Sequence, residues 1–154
     1  MNFFTYQTVV GKLSIACEGE YIAKVAVSEA FDNAVRKETP LIKEAYRQLM
    51  EYFEAKRKYF ELPLKPKGTP FQQAVWNALC QIPYGKTKSY REIAKMIGSP
   101  KACRAVGMAN HSNPIMIIIP CHRVIGANGA LTGYAYGVEM KKQLLLLEND
   151  NKTY

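Results

Sequence analysis

The chain has 154 residues, 48% hydrophobic and 22% charged, a balance that excludes a disordered polymer and suits one globular unit or two small packed ones. No apolar run is long enough to span a bilayer. The opening stretch "MNFFTYQTVVGK" has no basic leader before a long apolar core, so the expectation is no membrane, no secretory signal and a cytoplasmic location, or a nuclear one in a eukaryote. The formal net charge of +8 is unevenly spread: residues 1–69 hold 11 Lys/Arg and 9 Asp/Glu, residues 70–154 hold 10 and 4. A solvated basic face is one reading of this excess, and a polyanionic partner is the other.

The first third alternates in the manner of strands. "FFTYQTVV", "KLSIACEG" and "YIAKVAVSE" are rich in β-formers and broken by Gly11 and by Gly19-Glu20, which predicts antiparallel hairpins. The period then changes. Thr39 can cap a helix and Pro40 suits its first turn. Leu41, Ala45, Leu49, Tyr52 and Phe53 form one stripe. "LPLKPKGTP", with three prolines and a glycine, cannot continue a helix and places a domain boundary near Lys67, giving domains 1–67 and 68–154.

The second part reads as mainly helical. Thr69-Pro70 opens a helix with Phe71, Val75, Ala78 and Leu79 on one face. Thr87 or Ser89 can cap "YREIAKMIG", and Gly98 ends it. Ser99, followed by Pro100, can cap "KACRAVGMANH". Two short helices around a tight turn make a helix-turn-helix pattern, with "ACRAVGMAN" as the second helix. "NPIMIIIPC" reads as a buried strand between two prolines, "GANGALTGYAYG" as a loop, and "VEMKKQLLLLEN" as a closing amphipathic helix.

Four cysteines are present, none at CxxC spacing. Neither a disulfide framework nor a metal site is expected, and Cys17 and Cys80, among apolar neighbours, read as core residues. Cys121 differs, because His122 and Arg123 follow it and a glycine-rich loop comes next. A thiol becomes nucleophilic when a cation or a base stabilises its thiolate, but neighbours in an extended segment point apart. Local chemistry therefore leaves catalytic and structural readings of Cys121 open.

"PCHRVI", then "G.L.GY..G" and "K..LL..E", preceded in order by "TPFQ..VW", "SY.EIA", "RAVG" and "NP", resemble the O6-alkylguanine-DNA alkyltransferases over residues 69–149. The resemblance implies an RNase H-like α/β N-terminal domain, with an antiparallel sheet plus a helix, followed by a mainly α domain with the helix-turn-helix. It implies a single-turnover enzyme that moves the alkyl group of O6-alkylguanine, and of O4-alkylthymine, in double-stranded DNA to its own Cys121. The expected agent is a monomer that needs no cofactor and no metal. By the same resemblance His122 is the base, Glu148 orients it, and Asn113 holds the turn beside the site. Arg104 fills the stack after the nucleotide flips out, and Tyr90 crowds the phosphate and donates to the base. Ser89, Ala102 and Cys103 lie near the minor groove, whose narrowness suits a helix of small residues. Val124 belongs to the signature, Tyr134 stacks on the base, and the Ala135 N–H meets O6. Arg123 receives no role. Tyr136 departs from the usual pattern, where small residues follow the loop tyrosine, and so bears on the size of group admitted. An alkylated-DNA sensor without transfer, and a helix-turn-helix regulator with a redox thiol, are the rival readings.

Overall fold

A computed structural model describes residues 1–149, which divide into two compact units: 1–67 with 114–116, and 68–113 with the segment from 117 onward. In the first unit β1 (Asn2–Thr8), β2 (Gly11–Glu18), β3 (Tyr21–Val27) and β4 (Val35–Arg36) form a sheet in the order β3-β2-β1-β4. The β1–β2 and β2–β3 pairs are antiparallel, as the hairpin spacing predicts, whereas β4 pairs parallel to β1. Gly11 and Gly19 sit at the two hairpin turns with φ of +107° and +60°, which a side chain would strain. Helix α1 (Pro40–Phe53) starts where expected. Thr39 accepts from the Ile42 N–H, and Ile42, Ala45, Leu49 and Tyr52 are buried with Leu13, Ile15 and Val25 in the core. Its buried Gln48 exchanges two hydrogen bonds with the Glu61 backbone and so fixes the returning chain.

The second unit holds α2 (Pro70–Leu79), β5 (Lys88–Ser89), α3 (Tyr90–Met96), α4 (Cys103–His111), β6 (Val124–Ile125) and α5 (Val138–Glu148). Thr69 and Ser89 each form a full capping box, with Gln72 and Glu92 as the reciprocal partners. Trp76 is buried and donates its indole N–H to the Ala109 carbonyl at 2.9 Å, tying α2 to α4. Gly98, at φ +76°, makes the turn between α3 and α4.

Three expectations need correction. The second helix of the pair begins at Cys103, not behind Ser99. Its N-cap is Ala102, which offers no side-chain bond, because the Ser99 carbonyl is taken up in a turn to the Ala102 N–H. Cys80 is exposed at the C-cap of α2, since its neighbours Ala78 and Leu79 take the inward face. The apolar run after Asn113 is no strand. Ile115 makes one parallel bridge to Val25, and the chain then turns through Ile117 at φ +71°. Ile115 to Ile119 are all buried, so apolarity here reports a packed turn rather than a sheet.

Candidate active site

Pro120 delivers the chain into a 3₁₀ turn, Cys121–Arg123, and then into β6. The tight turn places three consecutive side chains in one buried neighbourhood, which an extended strand would not do. His122 Nε2 lies 2.6 Å from Glu148 Oε2 at the end of α5. Arg123 donates from Nε to Glu148 Oε1 at 2.8 Å and from Nη2 to Oε2 at 3.1 Å, while its Nη1 holds the Ile82 carbonyl at 2.7 Å. The Gly85 N–H adds a bond to Oε1 at 3.2 Å. Gly85 has φ +78°, and a Cβ there would lie 3.3 Å from the Glu148 carbonyl oxygen, so the turn demands glycine.

These contacts set the charges. Burial works to raise the Glu148 carboxyl, but His122 and Arg123 overcome it and hold the pKa down at about 2. Burial also pushes His122 down, so the imidazole is neutral at pH 7 despite the carboxylate beside it. Cys121 is pushed up to about 11 by burial, against the Asn113 hydrogen bond and the Lys141 charge. Roughly one molecule in ten thousand would then carry the thiolate at pH 7. The thiol is therefore protonated at rest, and its proton has to leave during any reaction.

Asn113 donates to the Ile119 carbonyl at 2.8 Å, across the turn that leads to the thiol. Asn110, which carried no signal in the sequence beyond its place on a helix, is buried and donates to the Cys121 carbonyl at 3.2 Å. Arg123, left without a role by sequence reasoning, is the cation that anchors Glu148. Its adjacency to His122 was the available signal.

The remaining candidates fall in two groups. Tyr90, Cys103 and Arg104 line an open groove of about 590 Å³ together with Gly107, Met108, His111, Thr132 and Gly133. Ser89 caps α3 and Ala102 caps α4, both outside that lining. Tyr90 does not present a spare hydroxyl, since it donates to the Thr132 carbonyl at 2.9 Å. Cys121 and Tyr134 do not line the groove; both are buried. Tyr134 meets Tyr136 edge to face at 5.7 Å, and its hydroxyl is buried with no hydrogen bond among the described residues. Ala135 is exposed, and Val124 is fully buried where β6 pairs with β5.

Two family models match the chain that carries this buried Cys121 and the His122–Glu148–Arg123 cluster. The "6-O-methylguanine DNA methyltransferase, DNA binding domain" covers residues 70–150, and the corresponding "ribonuclease-like domain" covers residues 1–66. The chain belongs to the O6-methylguanine-DNA methyltransferase family. It is 51% identical to the constitutive methylated-DNA–protein-cysteine methyltransferase of Bacillus subtilis over 96% of each chain. It is 49% identical to the Methanosarcina acetivorans enzyme of that name over 96% of this chain and 98% of the relative. Among solved structures it is similar to Mycobacterium tuberculosis OGT in complex with DNA, with a TM-score of 0.92 at 44% identity, covering 97% of this chain and 94% of the other. Members of this family repair alkylated DNA by methyl transfer to a cysteine, and binding to DNA is part of that activity.

Proposed function

We propose that the protein reverses O6-alkylguanine damage in double-stranded DNA, and O4-alkylthymine damage beside it, by one irreversible transfer to Cys121. The observation that carries this reading is the buried His122–Glu148 pair, held by Arg123, in the same tight turn as the buried Cys121. The thiol proton passes through water to His122, whose Nε2 is committed to Glu148, so Nδ1 is the receiving atom. A developing imidazolium is favoured by the carboxylate. The thiolate attacks the alkyl carbon, the S–C bond forms as the C–O6 bond breaks, and the electron pair leaves on the base. Guanine then takes a proton and regains its normal form. The thioether has no route back, so each molecule acts once and needs neither cofactor nor metal. Asn113 holds the turn that presents the sulfur.

A base inside a duplex cannot reach a thiol that is 4% exposed. The nucleotide flips out, at a cost of a few kcal/mol. Arg104, exposed on the groove face of α4, takes its place in the stack. The helix enters the minor groove, with Ser89, Ala102 and Cys103 close to the backbone. Tyr90 exchanges the Thr132 carbonyl for the flipped base. Tyr134 stacks on that base, the Ala135 N–H meets O6, and Val124 backs the site. Tyr136, against Tyr134, narrows the pocket for bulky groups. Residues 68–154 carry this chemistry as a domain, residues 1–67 support it, and the protein acts as a cytoplasmic monomer.

Incubation with a duplex containing O6-methylguanine, followed by intact-mass measurement, tests the reading. One methyl in place of one hydrogen, located on Cys121 and absent in Cys121→Ala, is expected. Damage-dependent binding without a mass gain would mean a sensor, and sequence-dependent binding that ignores damage would mean a regulator. Arg104→Ala should slow repair in the duplex far more than reaction with the free base. Equal slowing would remove the flipping role.

A further inference from the structure

Helix α4 turns Val106, Ala109 and Asn110 inward, and its opposite side carries Arg104, Met108 and His111. Spacings of four and three residues line these three side chains up as one outward ridge. The ridge is narrow, because small residues flank it: Ala105 on one side and Gly107 on the other. Arg104 and His111 suit contact with water. Met108 does not, yet it is 68% exposed.

Hollows lie on both flanks of Met108. On one side it borders the open groove with Tyr90, Cys103 and Gly107. On the other it borders a shallower hollow of about 240 Å³ with Thr69, Phe71 and Gln72. A narrow ridge between two hollows is the relief of the DNA minor groove in reverse, a slot about 6 Å wide between two sugar–phosphate backbones. Charge agrees with shape. Exposed Arg91, Lys95 and Lys101 lie on α3 and in the turn before α4, against Glu92 alone in that stretch, and α4 lies within the DNA-binding domain. An apolar side chain on such a face is a wedge of the kind that minor-groove proteins set against base steps.

We propose that Met108 is an apolar DNA-contact residue that packs into the minor groove one helical turn from Arg104. The proposal rests on the reading of α4 as the helix that enters the groove, and adds to it a contact that is not electrostatic. Four residues advance about 6 Å along the helix axis, nearly two base steps of about 3.4 Å each. Arg104 therefore acts at the vacancy in the stack, while Met108 grips base edges and sugars that stay paired beside it.

Oxidation by hydrogen peroxide reads this contact without any substitution, since a thioether becomes a sulfoxide only where the oxidant reaches it. Binding of an undamaged duplex would be followed by fluorescence anisotropy, and oxidation by peptide mass. The duplex should slow oxidation of Met108 severalfold relative to Met1, which is 37% exposed in the first unit. Met108→Ala should weaken binding about tenfold at every salt concentration between about 50 and 200 mM. The slope of log Kd on log salt should stay the same, because no phosphate contact is lost. Met108→Leu should bind as the unmodified chain does. A duplex that binds while Met108 oxidises as fast as in the free chain overturns the proposal and leaves the DNA reading standing. A Met108→Ala loss with a shallower salt slope also overturns it, since basic side chains would then have been displaced. A duplex that does not bind at any of these salt concentrations overturns the reading of α4 as well.

Discussion

The two ends of the buried stripe on α5, Lys141 and Glu148, are handled in opposite ways. At Glu148 the carboxylate receives bonds from His122, Arg123 and the Gly85 N–H, so its charge is compensated before any chemistry begins. At Lys141, two turns earlier, the ammonium meets, among the described residues, the neutral Thr132 carbonyl and the face of Tyr90 but no carboxylate. The first end is built for stability and orientation. The second end carries a buried charge with no carboxylate partner among the described residues, which is a cost to the fold.

Breaking the Glu148 end should have the largest effect. Glu148→Ala strands a buried guanidinium and should cost about 3–5 kcal/mol, measured by urea unfolding. A loss under about 1 kcal/mol would mean that water reaches Arg123 and that this end is not sealed. Acid should act on the same group next. The folded pKa of Glu148 lies below its ordinary value, so its contribution is fully present above about pH 4.5 and fades as pH falls toward 2. Glu148→Gln should flatten that acid limb of the stability curve. An unchanged limb would assign acid unfolding to other carboxylates.

The smallest effect, and the one of opposite sign, belongs to Lys141→Met. The folded pKa of Lys141 is depressed to about 8, so the unfolded chain holds this proton more tightly. Burial of the cation therefore costs stability below pH 8, and the cost fades as pH rises toward 10.5. Removing the charge should stabilise the protein by about 1–2 kcal/mol at neutral pH, less the bond to Thr132, and by less at pH 10. If Lys141→Met is destabilised as much as Glu148→Ala, the contrast between the two ends fails and Lys141 is a structural residue.

The sequence reading and the structure part company at identifiable places. Thr39, Thr69 and Ser89 mark helix starts because a capping oxygen acts within three residues. Ser99 has the same composition but lies in a turn, and cap chemistry alone cannot decide which of several hydroxyls closes a helix. The Ile115–Ile119 run shows the matching limit for burial. β-branched residues in a row mean an interior, and the backbone found there is a turn at Ile117 with a single bridge. At the site, the motifs marked Cys121, His122 and Glu148 as candidates with roles, whereas Arg123 and Lys141, positions of the same motifs, received none and Asn110 carried no signal. Each of these three acts through a group distant in the chain: Glu148 and Ile82 for Arg123, Cys121 for Asn110, Thr132 for Lys141.

By itself the sequence determined the family, the two-part organisation of the elements, the hairpins and the helix caps at Thr39, Thr69 and Ser89, and it singled out Cys121 as the candidate acceptor thiol. All of these depend on local periodicity or on an ordered set of short motifs. The tertiary structure alone decided which charges share a partner. It folded Cys121–Arg123 into one tight turn, closed Glu148 over two of its side chains, and left Lys141 buried beside a carbonyl. Pairing of charges depends on distance through space and on the exclusion of water, and neither is written in the order of residues along the chain.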